Sequence, residues 1–68
     1  MTREEMTQWC LDHELLFTVN KAPTQEEAKM VFHIANQVDE TQNHRMTSCG
    51  RCWDNAKRAI KRELKIFE

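Results

Sequence analysis

The sequence predicts an all-α fold, a small antiparallel three-helix bundle, and three observations carry that prediction. Apolar residues recur at spacings of three and four in three separate stretches. Each stretch opens on Thr or Ser, residues that cap helix N-termini. One glycine and one proline in 68 residues leave too little turn chemistry for a β-rich fold.

The first helix is expected over about residues 3–18. Thr2-Arg3-Glu4-Glu5 has the form of a capping box, and the acidic first turn suits the positive end of the helix dipole. Met6, Trp9, Cys10, His13, Leu16 and Phe17 form one face, which Leu11 and Leu15 widen. Pro23 then forces Ala22 out of helical geometry, so residues 20–23 read as a linker.

Thr24-Gln25-Glu26-Glu27 is a second capping box and opens a helix expected over about residues 25–41. Its face is Ala28, Val31, Ile34 or Ala35, and Val38, with Met30 and Phe32 on the flanks. That stripe is thin. Residues 40–47 have no apolar period and read as a polar connection. Thr47 or Ser48 caps a third helix over about residues 49–66. At 100° per residue Cys49, Cys52, Trp53, Ala56, Ile60, Leu64 and Phe67 share one side. Arg51, Lys57, Arg58, Lys61, Arg62 and Lys65 fill the other, and Glu63 stands alone at the centre of the apolar side. The whole chain, residues 1–68, reads as a single helical domain.

Charge is unevenly spread although the net is −1. Residues 1–19 set Arg3 against Glu4, Glu5, Asp12 and Glu14, whereas residues 46–68 set six cations against Asp54, Glu63 and Glu68. Either the two ends attract each other, or the basic end faces an anionic partner. With no apolar run near 18 residues the sequence predicts no membrane span. The N-terminus lacks a signal-peptide pattern. A cytoplasmic location is expected, in a host cytoplasm or a virion if the chain is phage-encoded. An odd count of three cysteines then favours thiols or metal ligands over disulfides.

Two cysteine motifs bear chemistry. Cys10-x-x-His13 and Cys49-x-x-Cys52 together supply three sulfurs and one imidazole, a donor set for one structural Zn²⁺. Spacing of i, i+3 puts two donors on one side of a helical turn, and Gly50 lets the backbone bend toward a metal. His44 is an alternative ligand. The competing reading is buried thiols, since both pairs fall on apolar faces and free cysteine packs as a small hydrophobe. Thioredoxin-like redox chemistry needs a βαβ context that the sequence lacks.

Arg51, Arg58, Lys61, Arg62 and Lys65 form a basic stripe that can meet nucleic-acid phosphates, another protein, or solvent. A helix-turn-helix needs a shorter turn than residues 40–47 supply. Trp9 and Trp53 read as a shared core between the first and third helices, or as anchors at a partner interface. No phosphate loop, nucleophile elbow or Ser/His/Asp set is present, and three simple helices offer no evident cleft. No catalytic residue and no small-molecule substrate are therefore expected.

The ending Thr47-Ser48-Cys49-Gly50-Arg51-Cys52 with its basic helix resembles certain small phage-encoded proteins that have a Thr-Cys-Gly-x-Cys-helix ending. The likeness covers Thr47–Leu64 only. It implies a small helical accessory protein, either a virion component or a modulator of a host protein, and it transfers no catalytic residue. Leu11, Leu15, Phe32 and Ile66 lie off the main helix faces and leave apolar surface for self-association or for another protein. The leading expectation is a non-catalytic protein-interaction module, with nucleic-acid binding and a structural zinc module as the alternatives.

Overall fold

The computed structural model describes residues 1–41, 43–45 and 50–67 and shows an all-α three-helix bundle. The order is α1 (Arg3–Asp12), a short 3-10 turn (Glu14–Phe17), α2 (Gln25–Val38) and α3 (Gly50–Leu64). The caps Thr47 and Ser48 and the candidate ligand Cys49 lie outside the described residues.

Both N-terminal threonines cap as their sequence context predicts. Thr2 Oγ1 accepts from the Glu5 amide at 3.1 Å, and Glu5 Oε1 accepts from the Thr2 amide at 2.9 Å. At α2 the Thr24 hydroxyl accepts from the Glu27 amide at 3.2 Å and donates to the Glu27 carboxylate at 2.9 Å. The reciprocal backbone bond of a full box is replaced there by a side-chain bond.

The first helix stops six residues short of the predicted 18. His13 (φ −117°, ψ 39°) leaves helical geometry. Its ring Nδ1 donates to the Trp9 carbonyl at 2.8 Å, and the ring stacks on the Trp9 indole with centroids 4.0 Å apart. A side chain that bonds a nearby carbonyl competes with the helix ladder. The chain then tightens into the 3-10 turn, which buries Leu16 and Phe17 and leaves Leu15 outside.

The second helix ends at Val38, not near Thr41. Asp39 takes extended geometry, and its Oδ1 accepts from the Thr41 amide at 3.2 Å. This Asx turn offers the backbone an alternative to another helical turn. The face of α2 is broader than the thin stripe expected: Val31, Ile34 and Ala35 are fully buried, and Phe32, expected off the main face, is buried against Trp53.

Helices α2 and α3 form the principal helix pair. Between them lies the core of Val31, Phe32, Ile34, Ala35, Trp53, Ala56, Ile60 and Leu64. Met6, Cys10, Leu16 and Phe17 close it from the α1 side. Each full-sized aliphatic side chain buried here contributes about 1.5–3 kcal/mol. The Schellman-type end of α3 has Lys65 at φ 55°, with the Ile66 amide bonded to the Lys61 carbonyl at 3.3 Å. Ile66 and Phe67 fold back against the core, and Phe67 packs on Phe17 with centroids 4.9 Å apart. Ile66 is thus partly buried and adds little to the free apolar surface.

Candidate functional site

Of the four predicted zinc donors, Cys10, His13 and Cys52 are among the described residues and differ in burial and bonding. Cys10 is fully buried in the core, and burial pushes its thiol up to about 11. In the chain without a metal, burial therefore favours the neutral thiol. The His13 ring is stacked on Trp9 with its Nδ1 proton on a carbonyl. Cys52 is half-buried at the start of α3, packed against the core. Among the described residues no group of three or more His, Cys, Asp or Glu is arranged to hold a metal ion. Gly50 has open space around it and no positive φ, so close approach of the backbone does not require glycine there.

His44 is held elsewhere. Its amide donates to Asn36 Oδ1 at 2.6 Å, its carbonyl accepts from Asn36 Nδ2 at 2.9 Å, and its Nε2 is 3.0 Å from Asp39 Oδ2. Asp39 also accepts from the Thr41 hydroxyl and, at 3.3 Å, from Arg62 on α3. The Thr41 and His44 hydrogen bonds hold the Asp39 carboxyl down at about 2. These contacts form a polar lock that ties the end of α2, residues 43–45 and α3 together. It was missed in the sequence, although Asp39-x-Thr41 is the pattern of an Asx turn.

The basic stripe is narrower than the helical wheel suggests. Lys57, placed on it by periodicity, is buried: its Nζ donates to the Val19 carbonyl at 2.7 Å. Arg62 reaches Asp39, and Arg58 pairs with Asp54 at 3.0 Å. Arg51, Lys61 and Lys65 complete the stripe on solvent-facing or half-buried positions. Glu63, expected at the centre of the apolar side, is half-buried and has Arg62 Nε 3.7 Å from its carboxylate. Both tryptophans meet the same core, to different depths. Trp53 is buried against Phe32, whereas Trp9 is half-buried on His13.

The most exposed large apolar side chain is Leu15, in the 3-10 turn. Leu11 is 47% exposed and Leu15 79% exposed. They flank an open groove of about 650 Å³ whose walls include Leu16, Val19 and Pro23. Asp12 and Glu14, both exposed, and Glu27, half-buried, also line it, as does His13. The break at His13 builds this groove, because the 3-10 turn sends Leu16 inward and leaves Leu15 beside Leu11. In the sequence the signal was the pair Leu11 and Leu15, one helical turn apart and off the main face.

The chain is therefore an all-α three-helix module with an apolar groove on one side and a short basic stripe on α3. No helix among the described residues is long and apolar enough to cross a membrane. No known protein family, curated protein or solved structure matches the chain.

Proposed function

We propose that this chain is a non-catalytic protein-interaction module that docks another protein, or a second copy of itself, on the groove beside Leu11 and Leu15. The observation that carries this reading is the exposure of both leucines, 47% and 79%, over one apolar groove. A single exposed leucine is ordinary, but clustered apolar side chains over a concave surface mark interaction sites. The likeness of Thr47–Leu64 to small phage-encoded accessory proteins supports a setting in a virion or on a host protein.

Nucleic-acid binding through Arg51, Arg58, Lys61, Arg62 and Lys65 has less support. Arg58 and Arg62 already engage carboxylates of the same chain. A structural zinc ion on Cys10, His13, Cys49 and Cys52 would have to overcome the burial of Cys10.

The test replaces Leu11 and Leu15 with serine. Both are exposed, so the double variant should melt close to the parent chain. The expected result is loss of self-association in light scattering, or loss of the partner captured by the parent chain in a pulldown. A parent chain that is a stable monomer without a partner, or a double variant that keeps every association, overturns the reading.

A further inference from the structure

We infer that the groove is built for a cationic amphipathic helix of another protein. This assignment rests on the interaction-module reading and specifies the chemistry of the partner. The lining combines Leu11, Leu15, Leu16, Val19 and Pro23 with Asp12, Glu14 and Glu27; it contains no lysine or arginine, and its one histidine, His13, has Nδ1 on the Trp9 carbonyl. The charges are not neutralised from within. Asp12 accepts from the amide of Gln8 and Glu27 from the hydroxyl of Thr24, both neutral donors. Among the described residues none of the three carboxylates takes part in an ion pair.

A groove lined by apolar side chains and carboxylates is the complement of a helix with leucine-like residues on one face and lysine or arginine beside them. Backbone addition as a β-strand requires an exposed sheet edge, and the described residues contain no strand. A helix laid into the groove satisfies its own backbone and needs only side-chain contacts. A second copy could offer the α3 stripe to these carboxylates, but that contact joins two different surfaces and would extend into a chain of subunits unless its rotation closed a ring.

The probe is a synthetic Leu/Lys amphipathic peptide of about 18 residues, or five helical turns. A Leu/Glu peptide of the same apolar pattern is the control. Binding is read by fluorescence anisotropy, and the site by methyl NMR of the full chain. The Leu/Lys peptide is expected to shift the Leu11, Leu15 and Val19 resonances and to lose affinity as salt rises. The Leu/Glu peptide should bind at least about tenfold more weakly, and the Asp12→Asn, Glu14→Gln, Glu27→Gln chain should lose about tenfold for the Leu/Lys peptide. Glutamine at position 27 keeps a hydrogen-bonding group beside Thr24, and a thermal melt checks the fold.

Equal binding of both peptides, indifference to salt, or shifts confined to α3 overturns the assignment. If the Leu/Lys peptide fails to bind while Leu11→Ser, Leu15→Ser still abolishes association with a partner, the cationic helix is wrong and the interaction module stands. If that double variant changes nothing, both fall.

Discussion

The carbonyl of Val19 explains why a lysine lies in the interior. It accepts from Trp53 Nε1 at 3.0 Å and from Lys57 Nζ at 2.7 Å. The Lys57 ammonium also sits 5.6 Å from the Trp53 ring centroid. A lysine stem can cover an aromatic surface while its head finds an acceptor, so a wheel that marks Lys57 as cationic misplaces it. Loss of solvation lowers the Lys57 pKa. The cysteines differ in a way that alkylation reads directly. Cys10 is fully buried with its thiol raised to about 11, whereas Cys52 is half-buried. With iodoacetamide under native conditions, Cys52 is expected to label well before Cys10, and Cys10 only as the chain opens. Peptide mapping by mass spectrometry checks the order. Equal early labelling of both would contradict the burial of Cys10.

At the scale of the helices, the starts of α1 and α2 were legible and their ends were not. Thr2 and Thr24 announce α1 and α2 because a cap is a local device, complete within four residues. The ends depend on side chains meeting partners that periodicity does not encode. His13 closes α1 by docking on Trp9, and Asp39 closes α2 through Thr41 and a histidine five residues on. The buried faces followed from spacing, including Cys10, Val31, Ile34, Trp53 and Ile60. Phe32 and Ala59 did not, because how far a face extends depends on its neighbours. The end of α3 carries a cost that can be measured. Lys65 holds a positive φ of 55°, where a side chain costs roughly 1–2 kcal/mol. Glycine relieves that strain at an entropic cost of about 0.5–1 kcal/mol. Lys65→Gly is expected to stabilise the chain by about 0.5–1 kcal/mol, visible as a higher urea midpoint with an unchanged slope. A lower midpoint would show that the lysine side chain contributes more than its backbone strain removes.

Across the whole molecule, two polar ties join segments distant in sequence. Arg3 donates to the Glu63 carbonyl near the end of α3, one of the carbonyls a helix terminus leaves without an internal partner. Among the described residues no ion pair joins the acidic first segment to the basic last one; this tie is a cation of the first segment on a backbone oxygen of the last. The second tie is Asp39, joined to Thr41, His44 and Arg62. Its carboxyl is held near 2 in the fold against an ordinary 3.8. The fold therefore favours the ionised form. Its contribution is complete above 3.8 and is lost as pH falls from 3.8 toward 2. Glu5, lowered by its bond to the Thr2 amide, acts in the same direction. Thermal melts across that acid range are expected to show a falling Tm for the parent chain. Asp39→Asn should melt lower at neutral pH and fall less steeply in acid, because its side chain has no proton to take up. Parallel acid limbs for the two chains would remove Asp39 from the account. The lock would then have to be held by Asn36 on the His44 backbone, a contact that does not titrate.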